Sequence, residues 1–550
     1  MSALFAGLSC TQEIAELTPP ETPPVVTPTG TPGSLTLTKF STLGNSLVAG
    51  YRSGALYNEG QQESLGKIMA KQLSYAGGSA TFNQPDINSV NGFSGFIPST
   101  TIPLGRLVLY DPDGSGPRSP GPAASGTPAR EVTCPAPVST PALPAPYNTA
   151  DAPAPFTGNK ATLNNFGVPG IQVGQVLIPQ TGGPPTSNPA FNPFYARFAS
   201  NPGSSTIIGD FLASAPSFFL IDVGNNDILG YATSGGANPA IFTSEADFTT
   251  RFNGMISTIL GTLPASSKGV VANIPDVTTI PFFFTIPHNA ISLTADQAAA
   301  LNTGFAGYNQ VLDAIAANPS LLGISGSTAA NILARKVNYT TGPGNKILIA
   351  EESSAFPDLG STFDAMTGPN PGQLTAAQRA ALEPYRRVRQ TTPTDLITLT
   401  AGGVLGTCLN PPGNNATLII GTSIPLADQF VLIPSETTEI RTRTAAFNAT
   451  IAAAVAASND RLALADVNAA FTQFVQNKGE VVDGILLTPS FTPPYGGFSE
   501  DGVHPNGRGY AFLANIFIKA INTKFGATIP LAKTTEYSGN RTPIGPTGAY

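Results

Sequence analysis

Ser217–Gly224 reads Ser-Phe-Phe-Leu-Ile-Asp-Val-Gly, an almost unbroken apolar run of strand length. Such a run suits a parallel strand buried on both faces, because side chains that point both ways must be covered from above and below. Lys268–Pro275 is a second strand of this kind, and Arg461–Val467 a third. Helical spacing fills Phe248–Leu263 between the first two, and Glu436–Ala457 precedes the third. Strand, loop, helix and strand in that order predict βαβ units and a parallel sheet. Ligands of open α/β sheets bind beyond the carboxyl ends of their strands. The residues just past each run therefore carry the most functional information.

Leu37–Tyr51 has the same logic. An alternating apolar run breaks at Gly44-Asn45 and leads into a helical pattern over Ala55–Ala76, with Leu56, Leu65, Ile68, Met69 and Leu73 for its buried face. Ser46 sits where strand turns into helix. Unpaired N–H groups and the dipole at a helix start favour negative charge, so a serine there suits a nucleophile. A serine at that place also suits a plain N-cap.

Two stretches interrupt the alternation of strand and helix. Residues 78–160 are dense in Gly, Pro, Ser and Asn, with Pro117–Pro146 nearly low-complexity. Residues 278–425 hold a helix over Ala295–Ala317, a strand candidate at Lys346–Ala350 and many loops. Both read as long, loop-rich insertions in one domain spanning 34–530, followed by an irregular tail over 531–550. Charged residues make up only 11% of the 550, less than half the usual share, so Ser, Thr, Asn and Gln must build much of the surface. The net charge is −7 with no basic cluster, which argues against nucleic acid as a partner and against electrostatic attraction to anionic membranes.

The chain holds two histidines, His288 and His504. Any histidine-dependent mechanism must use one of them. His504 stands three residues after Asp501 in Asp-Gly-Val-His-Pro, a spacing that lets one turn bring the carboxylate to the Nδ1 of the ring and leaves Nε2 facing outward. His288 follows Phe282-Phe283-Phe284-Thr-Ile-Pro with no carboxylate before it, and reads as a packing or substrate-loop residue. Two further positions suit oxyanion donors. Gly170, after Val168-Pro169, allows backbone to approach a substrate closely. Asn226, in Gly224-Asn-Asn-Asp227, lies just past a buried strand with an amide able to donate. A loop glycine and a turn asparagine are the plain alternatives.

Taken together and in this order, these stretches resemble the SGNH (GDSL-type) hydrolase family, whose blocks are named for Ser, Gly, Asn and His. Gly44-Asn45-Ser46-Leu47 is similar to the Ser block, with Asn45 where the family usually carries Asp. Asn165-Phe-Gly-Val-Pro-Gly170 resembles the Gly block, Gly224-Asn-Asn226-Asp the Asn block, and Asp501-Gly-Val-His504-Pro the His block. The resemblance implies a three-layer α/β/α, flavodoxin-like fold with a parallel sheet of about five strands. It implies hydrolysis of carboxylic esters without a cofactor or metal, by Ser46, His504 and Asp501 through an acyl-serine. The oxyanion donors would be the N–H groups of Ser46 and Gly170 and the amide of Asn226. The substrate would be a small-molecule or lipid ester. A lipase or esterase and a carbohydrate O-deacetylase both remain open, as does a surface protein that keeps the scaffold only for binding. Nothing in the resemblance extends to the insertions, where Phe282–Phe284 and Phe191-Asn-Pro-Phe194-Tyr195 suit a lid or acyl groove, or simple packing.

Met1–Cys10 looks like a bacterial lipoprotein signal, in which Cys10 becomes the lipidated first residue. The Pro/Thr-rich 11–33 then serves as a tether. This predicts export to the cell envelope, with the membrane reached only through an N-terminal lipid anchor. In an oxidising compartment the remaining pair, Cys134 and Cys408, suits a disulfide. The oligomeric state is not legible.

Overall fold

The computed structural model describes residues 28–96, 101–110, 118–122, 131–133, 137–139, 150–407 and 418–543. Cys10, Cys134 and Cys408 lie outside the described residues, and with them the expected lipidation site and disulfide.

Five strands form the central sheet: β1 (Phe40–Gly44), β2 (Asn165–Gly167), β3 (Phe218–Asp222), β4 (Lys268–Ala272) and β5 (Leu462–Ala465). All pair in parallel, in the order β2-β1-β3-β4-β5. This is a doubly wound sheet: the chain steps from β1 outward to β2, then crosses back to β3 and continues the other way. The reversal falls between β1 and β3, so the loops leaving those two strands diverge and open a crevice.

The helices that matter here are α1 (Ser46–Ala49), α2 (Leu65–Ser74), α3 (Ile207–Ala213), α4 (Asn226–Thr233), α5 (Glu245–Thr262), α6 (Ala295–Ala317), α7 (Pro434–Ala456), α8 (Val467–Gln476) and α9 (Gly507–Phe525). Side chains alternate across β3. Phe218 and Leu220 join the core under α2 and α9, with Ile68, Met69, Phe517 and Ile521. Phe219 and Ile221 join the core under α3, α5 and α7, with Phe211, Phe252 and Ile451. All four β3 side chains are fully buried, which accounts for the unbroken apolar run. Burying each contributes about 1.5–3 kcal/mol relative to exposure. Between α5 and α7, Phe248 and Phe447 stack with ring centroids 3.8 Å apart. The fold is therefore a three-layer α/β/α sandwich.

The helix expected over Ala55–Ala76 is broken. A short helix at Asn58–Gln62 ends before Ser64, whose Oγ accepts from the Lys67 N–H and starts α2 afresh. The tail, expected to be irregular, makes a 3-10 turn at Thr534–Glu536, and Glu63 accepts from the Ser538 backbone N–H at 2.9 Å. The second insertion builds an apolar core of its own around Phe305, Leu312 and Ile315 of α6, with Leu348 and Phe363. A buried Arg389 clamps it, paired at 2.6 Å with both Glu351 and Asp395. In the 396–403 segment Ile397 and Ala401 join a further cluster with Ile347, Ile349 and Leu426, while Leu399 packs with the sheet. Among the described residues no helix is long and apolar enough to cross a membrane.

Candidate active site

β1 delivers Ser46 to the crevice. Gly44 is required at its end, since a Cβ there would lie 2.5 Å from the Asp222 carbonyl oxygen and from Val48. The N-cap is Asn45, not Ser46: the Asn45 Oδ1 accepts from the Leu47 N–H at 2.9 Å. Ser46 is the first helical residue, and its hydroxyl is free for other work. The helix that follows is a single turn, closed by Gly50 in the left-handed conformation at φ 83°. One turn carries little macrodipole, so charge at this site must be met by individual N–H groups rather than by the helix as a whole.

The Ser46 Oγ lies 2.9 Å from His504 Nε2, and His504 Nδ1 lies 2.7 Å from Asp501 Oδ2. Asp501 accepts four further hydrogen bonds. The Val503 and His504 N–H groups reach Oδ1 at 2.8 Å, Ser499 Oγ reaches it at 3.1 Å, and the Gly54 N–H reaches Oδ2 at 2.8 Å. Burial alone would push this carboxyl up, but His504 and the converging donors outweigh it and hold Asp501 below the usual carboxylate range. It stays ionised at neutral pH, as an orienting partner for an imidazolium must. Ser499 is itself fixed by the Ser53 N–H at 2.7 Å. The Tyr51 ring flanks the imidazole, centroid to centroid 4.9 Å, and limits its rotation.

β3 delivers Asn226 to the opposite lip. One N–H of its amide donates to the Ile171 carbonyl at 3.0 Å, leaving the second for a ligand. The buried Asp227 accepts from the Val173 N–H at 2.9 Å and from Thr243 Oγ1 at 2.8 Å, which ties the 168–173 loop to the start of α4. Gly170 sits in that loop, exposed, at φ 77°. A Cβ there would meet nothing within 4 Å. Left-handed backbone favours glycine here, and the open space over it leaves its N–H accessible. A cleft of about 660 Å³ opens over His504 and Asn226, between α4 and Phe282. A larger groove, about 1120 Å³, runs along β5 and contains no member of the triad.

The other histidine is remote from this chemistry. The His288 carbonyl accepts from Thr391 Oγ1 and from the Ile347 N–H, inside the second insertion. The aromatic clusters divide: Phe194, Tyr195 and Phe283 are buried in the core, Phe282 walls the cleft, and Phe284 is exposed. Ser499, Gly54 and Tyr51 were not singled out by the sequence. Ser499 lies two residues before Asp501 in no pattern that marks a donor, and Gly54 and Tyr51 meet Asp501 and His504 from the other end of the chain.

Asp222 closes β3 as a buried carboxyl between Asn225 Nδ2 at 3.3 Å and Asn45 Nδ2 at 3.5 Å. Burial pushes it up to about 7, against the opposing pull of the two amides. The folded state therefore holds this proton where an unfolded aspartate has lost it. Asp222 leaves stability intact below the usual carboxylate range and erodes it as pH climbs from about 4 to 7. We expect Asp222→Asn to flatten the fall in urea-unfolding free energy over that interval. An unchanged slope would mean Asp222 titrates normally.

Comparison of the chain with protein-family models, with curated proteins and with solved structures finds no match.

Proposed function

We propose that this chain is a serine hydrolase of the SGNH (GDSL) type that cleaves carboxylic esters through an acyl-serine. The observation that carries the reading is the continuous hydrogen-bonded path from Ser46 through His504 to Asp501, built at the crevice between β1 and β3. His504 Nε2 takes the proton of Ser46 Oγ as that oxygen attacks the ester carbonyl. The resulting oxyanion accepts from the Ser46 and Gly170 N–H groups and the Asn226 amide. His504 then gives its proton to the departing alcohol. Water, deprotonated by the same nitrogen, attacks the acyl-serine, and collapse frees the acid and returns the proton to Ser46. Asp501 keeps Nδ1 protonated throughout and balances the imidazolium charge.

The test is a pair of measurements on the purified protein: turnover of p-nitrophenyl butyrate, and mass spectrometry after a fluorophosphonate probe. Turnover with a single adduct on Ser46 is expected. Turnover with no adduct, or an adduct elsewhere, would reject Ser46 as nucleophile. Asn226→Ala is expected to lower kcat by about 100- to 1,000-fold with little change in KM, because its donor matters only once charge develops on the carbonyl oxygen. A KM effect alone would mark Asn226 as a ground-state contact.

A further inference from the structure

We infer that the cleft over His504 holds the acyl chain of an uncharged, aliphatic ester of medium length, and that the two insertions set its width. This rests on the hydrolase reading. Asn226, Leu229, Gly230 and Thr233 all line the cleft, and their spacing of three, four and seven residues is one stripe of α4. The stripe begins at the oxyanion donor. A substrate whose carbonyl oxygen meets Asn226 therefore lays its acyl chain along α4. From Asn226 to Thr233 the helix rises about 10 Å, the length of an extended chain of about eight carbons. The opposite walls come from outside the alternating pattern of strand and helix: Leu107 from the first insertion, and Phe282, Leu399 and Gly403 from the second.

Apart from the Asn226 N–H left for the oxyanion, the polar side chains of this cleft are paired within the protein or used by the mechanism. Among the described residues its only acidic or basic side chains are Asp501 and His504, which the mechanism uses. Tyr51 Oη donates to the Gly54 carbonyl. Thr233 Oγ1 donates to the Leu229 carbonyl at 2.9 Å, and Thr400 Oγ1 is paired with Thr398 Oγ1 at 2.9 Å. Recognition of a sugar needs several aimed donors and acceptors left free for its hydroxyls. These walls offer apolar contact instead. A charged acyl group would enter without a counter-ion and is excluded on the same ground.

The experiment compares kcat/KM for p-nitrophenyl acetate, butyrate, octanoate and palmitate, and for glucose pentaacetate. We expect a rise of about two- to fourfold per methylene from acetate to octanoate, the yield of burying each in an apolar furrow, and no further gain at palmitate. In Gly403→Trp, where an indole would fill the furrow, the octanoate-to-acetate ratio should fall at least about tenfold. Leu399→Asp should lower the same ratio by placing a charge against the chain, and acetate turnover reports folding in both variants. A flat chain-length profile, a preference for glucose pentaacetate, or a ratio untouched by both substitutions would overturn the inference while leaving the hydrolase reading standing. If no ester turns over and Ser46 takes no fluorophosphonate, both fall together.

Discussion

Ser46→Ala is expected to lower kcat for p-nitrophenyl butyrate by about 10,000-fold to a million-fold, the range found when the nucleophile of a serine hydrolase is removed. The substitution deletes one oxygen and leaves the rest in place. His504 remains held by Asp501, and the Asn226 amide remains on the far lip. What survives is attack by water in a site that still binds the substrate and its oxyanion, which keeps some acceleration over free solution. The fold should not suffer. Ser46 is the first residue of α1 while the cap belongs to Asn45, and alanine is at home in a helix. Equal unfolding midpoints with lost turnover would separate chemistry from stability. A variant keeping more than about a hundredth of the wild-type kcat would remove Ser46 from the mechanism, since loss of a nucleophilic serine costs on the order of a million-fold in kcat.

Asp501→Asn is expected to cost about 10,000-fold in kcat. The size follows from the tautomer. An amide NH₂ facing His504 Nδ1 makes that nitrogen the acceptor and moves the proton to Nε2, where it points at Ser46 and cannot take a second. The negative charge that balances the imidazolium is lost as well. Here the change has an added penalty, because Gly54, Val503, His504 and Ser499 all donate to this carboxylate. An amide can accept at only one end, so at least one donor loses its partner, and some stability should fall with the rate. His288 does not line this cleft, and its carbonyl is held within the second insertion. Steady-state kinetics beside a thermal melt would check this, and a loss under tenfold would show that Asp501 does not orient the base.

Much of the architecture was readable because buried parallel strands write themselves as apolar runs. Phe218–Asp222 and Lys268–Ala272 fall within the stretches expected, and the helix Ala295–Ala317 has the expected bounds. The site residues were readable for a related reason: Ser46 and Asn226 directly follow strands, and Asp501 and His504 meet across one turn. Long-range geometry was not readable. The break at Ser64 depends on a hydroxyl choosing a cap over a continuing helix. Gly54 serves Asp501 from the other end of the chain, and Ser499, two residues before Asp501, is fixed from there by the Ser53 N–H. The split among Phe282, Phe283 and Phe284 depends on what surrounds each ring, which three identical letters cannot convey. The left-handed backbone of Gly170 was likewise not legible from its neighbours in sequence.

The 396–403 segment alternates its side chains between two hydrophobic clusters, Ile397 and Ala401 on one side and Leu399 on the other. On the proposed reading, chemistry and selectivity therefore rest on separate foundations. Ser46 is anchored by the sheet strand β1, and Asp501 and His504 by the turn before α9, while one wall of the furrow is borrowed from a unit with its own interior. Such a seam lets selection rework the insertion's interior, tilting Leu399 by fractions of an ångström and retuning which acyl groups fit, without disturbing a catalytic residue.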